Sequence, residues 1–202
     1  MIDQVVYINL DHRTDRREQI EKELSKIPCQ NVQRFSAIKN SIGSIGCTQS
    51  HIAVLEMAIQ SGWKNVLILE DDMVFKEEKW DLLYEKMSSY DVIVLGGMWP
   101  EYSKDTLKLR KCFGTGAYIV NESYYHRLLA NYKEGLALHI RNVDQRLFPI
   151  RKRYDKTAFA IDTWWNRLQA TDNWFLVQMM YSPPSYSNVT NTTIDYTERF
   201  TV

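Results

Sequence analysis

Residues 65–72 read Asn-Val-Leu-Ile-Leu-Glu-Asp-Asp, an apolar run that stops on three consecutive carboxylates. A strand that is apolar on both faces has no solvent side, so it belongs inside a mostly parallel sheet with helices over each face. The switch to Glu70, Asp71 and Asp72 then places three acids at the carboxyl end of that strand, where open α/β sheets bind their ligands. Adjacent carboxylates repel one another and are costly to desolvate, so they persist where water or a divalent cation neutralises them. Glu70 and Asp72, two apart, share one side of an extended chain and could face one ion, with Asp71 turned away. A solvated turn carrying helix-capping acids is the plainer alternative.

The rest of the chain repeats the strand-then-helix pattern. Residues 5–10 form a second run that is apolar on both faces, and Thr14 can cap a helix from about Asp15 whose stripe is Ile20, Leu24 and Ile27, ending at Pro28. A short strand is expected at 32–35, then a polar loop holding Gly43 and Gly46, then a deeply buried helix from about 48 to 60 stopped by Gly62. Further strands are expected at 92–95 and 117–120, helices at 77–87, 123–132 and 161–168, and a late strand at 174–181. Residues 133–157 carry only a weak, basic pattern. Alternation of this kind means an α/β fold with a mostly parallel central sheet flanked by helices, and 202 residues make one such domain.

Composition closes off several classes of function. Twenty-five basic residues balance 25 acidic ones, so no overall field recommends nucleic acid as a partner. Cys29, Cys47 and Cys112 are odd in number and widely spaced, which argues against a disulfide framework and for a reducing, cytoplasmic location. Neither a basic leader with an apolar core nor an 18-residue apolar span is present, and the sequons at Asn188 and Asn191 read as a polar terminal loop. The basic run at 151–153 is most simply a solvated face, though it could meet an anionic glycan or the surface of a membrane.

The loop after the first strand supplies Asn9, Arg13, Asp15 and Arg16. An arginine there can pair with a pyrophosphate and an aspartate can bond a ribose or base, or the group can be a surface charge cluster at a helix start. Ser50 and His51 are expected to open the second helix, where free N–H groups favour an anion, though a buried histidine is commoner. Cys47 and His51 share a helix face, but two ligands without a third and fourth do not make a zinc site. Trp99, Trp164, Trp165 and Trp174 could present ring faces to a sugar, while core packing is their usual role.

Three segments together resemble glycosyltransferase family 25, which includes lipooligosaccharide and collagen galactosyltransferases. They are Val6-Tyr-Ile-Asn-Leu-Asp-His-Arg-Thr-Asp-Arg-Arg17, Ile45-Gly-Cys-Thr-Gln-Ser-His51 and Val66-Leu-Ile-Leu-Glu-Asp-Asp72, followed by Gly114-Thr-Gly-Ala-Tyr118. The likeness covers about residues 5–120 and is looser beyond. It implies a GT-A type nucleotide-sugar transferase fold, with the donor half at about 1–120 and the acceptor half at about 121–202. It further implies a UDP-sugar donor, Mn²⁺ or Mg²⁺, and inversion at the anomeric carbon. On that reading Asp72 is the principal metal ligand and Glu70 a direct or water-bridged one, a Glu standing where the family's triplet begins with Asp. Asn9, Arg13, Asp15, Arg16, Ser50, His51 and Asp71 surround the donor. An inverting transfer needs a base for the acceptor hydroxyl, for which Asp162 is the candidate and Asp144 the runner-up, each also a plausible helix cap. The expected activity is transfer of galactose or glucose to a glycan or glycoprotein acceptor. The alternative is a noncatalytic nucleotide-sugar-binding scaffold of the same fold.

Overall fold

The computed structural model describes residues 1–144, 158–187, 192–195 and 197–200. The chain runs β1 (Gln4–Asn9), α1 (Thr14–Leu24), β2 (Val32–Ser36), α2 (Gly43–Ser61), β3 (Asn65–Glu70), β4 (Val74–Phe75), α3 (Trp80–Lys86) and β5 (Val92–Val94). It continues through β6 (Met98–Tyr102), β7 (Leu109–Phe113), β8 (Ala117–Asn121), α4 (Tyr125–Asp144), α5 (Ile161–Trp164), α6 (Asn166–Gln169), β9 (Trp174–Leu176), β10 (Met180–Tyr181), β11 (Ser185–Ser187) and β12 (Thr192–Ile194). The basic run 151–153 and the asparagines of both sequons lie outside the described residues.

Six strands form the central sheet in the order β2-β1-β3-β8-β5-β9. β2, β1 and β3 pair in parallel, as do β5 and β9, while β8 runs antiparallel to both of its neighbours. The expected mostly parallel sheet flanked by helices is therefore what the chain forms. Strand alternation sorts the core into two layers. Val6, Ile8, Val66, Ile68, Val92 and Val94 point to the side packed with α2 residues Ile52 and Leu55, α4 residues Leu128 and Tyr132, and Trp165 and Trp174. Val5, Tyr7, Leu67, Leu69, Ile93 and Ile119 point to the other side, covered by Ile20 and Leu24 of α1 and Leu83 of α3. Val66 through Leu69 are fully buried. At about 1.5–3 kcal/mol per large apolar side chain, they anchor firmly a strand whose next three residues repel one another.

Several elements differ from the sequence expectation, each for a nonlocal reason. α2 starts at Gly43 rather than at 48, so both glycines of the supposed loop are helical. Gly46 is there because the chain crosses it closely: a Cβ would lie 2.5 Å from the Ile38 carbonyl oxygen. α4 continues to Asp144 instead of stopping near 132, because Leu128, Tyr132 and Leu136, four apart, carry one apolar stripe onward over the core. The helix expected at 77–87 is trimmed to Trp80–Lys86, and the late strand divides into β9 and β10. The β6–β7 hairpin has little pattern to announce it. Its burial alternates only between half-buried and exposed in β6, and the hairpin holds two non-glycine residues at positive φ, Trp99 within β6 (46°) and Leu107 in the connection to β7 (61°). Among the described residues no helix is long and apolar enough to cross a membrane.

Candidate functional site

The carboxyl ends of β1 and β3 and the first turns of α2 enclose a cavity of about 310 Å³. The stretch from Ala37 to Ser41 walls its outer side. That wall is fixed to α2 by Ser50, whose hydroxyl accepts from the Ile38 N–H at 2.8 Å and donates to the Gly46 carbonyl at 2.8 Å. Ser50 and His51 thus sit well inside α2, not at its opening as the sequence suggested, because the helix starts earlier. Gly46→Ala tests the crossing. Alanine gains about 1 kcal/mol of helix propensity over glycine, but overlap with a backbone oxygen costs more. We expect a net loss of about 1–3 kcal/mol, seen as a lower urea midpoint.

Arg16, Ser50, His51, Glu70, Asp71 and Asp72 all line this cavity, while Asn9, Arg13 and Asp15 do not. Asn9 is a scaffold residue in this geometry: its amide donates to Asp71 Oδ2 at 2.7 Å and to the Arg13 carbonyl at 3.0 Å, and its oxygen accepts from Arg34 at 3.0 Å. Arg13 and Asp15 form a two-bond pair at 2.8 and 2.7 Å, and that guanidinium holds the Asp15 carboxyl down to about 2. Sequence reasoning did not single out His12 and Lys39, which line the same cavity.

The acid triplet divides its work. Arg16, only 8% exposed, places Nη1 3.0 Å from Asp71 and 3.2 Å from Asp72. Burial nevertheless raises both carboxyls, Asp72 to about 6, with Arg16 opposing the shift. Glu70 accepts from the Thr115 hydroxyl at 2.8 Å and lies 3.5 Å from His51 Nε2. Burial works against its ionisation, but His51 and Thr115 outweigh it and hold the carboxyl below its ordinary value. Arg16 thus touches two of the three carboxylates, and Glu70 meets Thr115 and His51 instead. The triplet carries more negative charge than Arg16 offsets, and the oxygen donors of Glu70 and Asp72 suit a hard divalent ion. Carboxylate oxygens of this kind are what the metal implied by the sequence resemblance takes.

Asp162 enters from the other half of the chain. It stands in the first turn of α5, and its Oδ2 accepts from the Gly114 N–H at 3.1 Å. Gly114 has φ of 84°, a left-handed turn that suits glycine and that leads from β7 toward β8. Neighbouring residues 114 and 115 therefore hold the two carboxylates, Asp162 by a backbone N–H and Glu70 by a hydroxyl. Gly-Thr before an apolar strand was visible in the sequence, but its bridging role was not. Burial raises the Asp162 carboxyl, against the pull of the Gly114 amide. Asp144 closes α4, and its side chain lies outside the described residues. Of the tryptophans that could face a sugar, Trp165 and Trp174 are fully buried core residues and Trp164 is packed against Gly135. Trp99 is 54% exposed, edge-on to Phe113 and faced by Arg199 at 4.5 Å.

Comparison with known proteins bears on this geometry. Residues 40–112 match the model of glycosyltransferase family 25, described as an LPS biosynthesis protein, and that stretch holds α2 and the acid triplet. The chain shares its fold with a solved glycosyltransferase involved in the glycosylation of the major capsid of PBCV-1, 8% identical over 90% of this chain and 93% of that one, with a TM-score of 0.54. Weaker likenesses are to A197 from STIV (12% identity, 98% and 97% coverage, TM-score 0.47) and the glycosyltransferase GlyE of Streptococcus pneumoniae TIGR4 (12% identity, 88% and 45% coverage, TM-score 0.44). No curated protein matches the sequence. The family match supports glycosyl transfer in general, and the structural likeness shows the shared fold alone.

Proposed function

Because residues 40–112 carry the signature of glycosyltransferase family 25, we propose that the chain is a metal-dependent, inverting hexosyltransferase that uses a UDP-sugar and a glycan or protein-linked acceptor. The observation that supports this most is the cavity where Arg16 meets the acid triplet, whose negative charge it offsets only in part. Asp72 and Glu70 would hold the divalent cation there, and when bound it supplies positive charge to the diphosphate that departs. Arg16 and Asn9 keep Asp71 in place and so aim the triplet into the cavity. The wall from Ala37 to Ser41, pinned by Ser50, shapes the pocket for the nucleoside.

Asp162 acts as the base. Its carboxylate takes the proton of the acceptor hydroxyl while that oxygen bonds to the anomeric carbon from the opposite face. The bond from that carbon to the diphosphate oxygen breaks, and its electron pair leaves with UDP. Burial makes Asp162 a stronger base than an exposed aspartate, and the Gly114 N–H fixes one of its oxygens. Trp99, on the hairpin strand that pairs with Phe113 beside Gly114, offers an exposed ring on the acceptor side.

Calorimetric titration of UDP with and without Mn²⁺ tests the reading. We expect at least about tenfold tighter binding with the metal, or about 1.4 kcal/mol, and a preference for one UDP-hexose in a panel of UDP-sugars. No binding under either condition would sink the UDP donor site and point to a donor other than a uridine nucleotide or to a scaffold that has lost nucleotide binding.

A further inference from the structure

We infer that the inner wall of the cavity is a site for a thiophilic divalent cation of the zinc class, built from Cys47 Sγ, His51 Nε2 and the Glu70 carboxylate. Positions 47 and 51, four apart in α2, share one helix face. The fold brings the end of β3 against that face, supplying the third ligand that the helix alone lacks. All three donor atoms lie within 4.8 Å of one another.

The independent sign of a ligand is the state of His51. The side chain is only 1% exposed, and Nε2 has no hydrogen-bond partner among the described residues. Its nearest carboxylate oxygen, on Glu70, is 3.5 Å away, long for a hydrogen bond. A buried polar atom left unmet is costly, so native structures rarely keep one. The other ring nitrogen, Nδ1, is 2.8 Å from Tyr118 Oη, and the two rings stack. Cation binding would select the tautomer with Nδ1–H donated to that oxygen, which turns the Nε2 lone pair toward Cys47 and Glu70. Metal-ligating histidines are held this way by a partner on their second nitrogen.

One sulfur, one imidazole nitrogen and one carboxylate oxygen form a donor set for Zn²⁺ rather than for Mg²⁺ or Mn²⁺. The fourth position is left to water from the cavity. Without the cation, burial and the charges of Glu70 and Asp162 keep the Cys47 thiol protonated. Binding replaces that S–H bond with a sulfur–metal bond and releases one proton to solvent. Glu70 belongs to this set and also to the oxygen set with Asp72. On the donor-site reading above, zinc therefore draws Glu70 away from Asp72 and opposes Mn²⁺-supported UDP binding.

The test uses the metal-free full chain titrated with Co²⁺, followed by displacement with Zn²⁺. We expect one equivalent of Co²⁺ to give a thiolate-to-metal charge-transfer band, which Zn²⁺ removes. Cys47→Ser should abolish the band and weaken Zn²⁺ binding at least ~100-fold, beyond the cost of losing an outer partner. Cys29→Ser, remote beside Asp3 and Asn31, should change neither. No band in the native chain, or a band that survives Cys47→Ser, overturns the proposal. Should Cys47→Ser fail to fold, X-ray absorption of the zinc-loaded native chain decides. One sulfur at about 2.3 Å among nitrogen and oxygen at about 2.0–2.2 Å supports the site, and a shell without sulfur overturns it. UDP binding with Mn²⁺ is measured separately, so its failure tells against the donor site alone.

Discussion

Asp162→Asn is expected to lower sugar transfer by about 10²–10⁴-fold, the usual contribution of a general base, while leaving donor affinity within about twofold. The substitution is nearly isosteric, and the asparagine oxygen can still accept from the Gly114 N–H, which Asp162 now does at 3.1 Å. The turn between β7 and β8 should therefore keep its shape, and Thr115 its bond to Glu70. What disappears is the ability to take a proton. Release of UDP from a UDP-sugar, with and without acceptor, measures the rate, and calorimetry of UDP with Mn²⁺ measures the donor site. A variant that retains the native rate would move the base elsewhere, first to Asp144.

Arg16→Met should be the most damaging single change to stability at the site. Methionine replaces much of the apolar stem but strands Asp71 and Asp72, buried carboxylates that Arg16 contacts at 3.0 and 3.2 Å. Breaking such a pair from one side costs about 3–5 kcal/mol at neutral pH. The pH dependence has a definite sign. Burial already raises Asp72 to about 6 in the folded chain, so its protonated form favours folding below the ordinary carboxylate range and that contribution is lost as pH rises through about 6. Removing the guanidinium raises it further. The loss caused by Arg16→Met should therefore be greatest at pH 7 and shrink by pH 5, and Mn²⁺ at pH 7 should restore part of it. Urea midpoints of both chains at the two pH values decide the matter. A penalty that grows toward pH 5 would contradict this account of the charge balance.

The central sheet and the acid triplet were legible because their signal is local. Val66 to Leu69 can only be an interior strand, and three acids after it can only stand at its carboxyl end. Arg16 was legible as a neighbour of the first strand, though not its choice of Asp71 and Asp72 as partners, since that depends on β1 and β3 lying side by side. Other features were silent for the same reason. Gly43 and Gly46 read as a loop because the sequence holds no mark of the Ile38 carbonyl pressing on α2. Asn9 and Arg13 looked like ligand-binding residues, and the sequence did not announce the bonds from Asn9 to Asp71 and from Arg13 to Asp15. Cys47 and His51 looked like an incomplete pair because their third partner arrives from another element. Local chemistry announces which residue types gather, and only the register of the sheet says which of them touch.

The reversed strand β8 has a consequence for the order in which the chain acquires its structure. β3 pairs with β1 before it and with β8 after it, so the sheet's centre joins segments far apart along the chain. Asn9 reaches Asp71 across 62 positions, and Gly114 reaches Asp162 across 48. Contacts of such long range require large loops to close first, and they place a protein at the slow end of the folding spectrum. Until α1 docks beside β3, the three acids have no guanidinium against them and remain in water. The acid triplet and its base are thus assembled only as the last strands find their register, and a nascent chain that has made β1 through β3 holds the acids without the residue proposed to work with them.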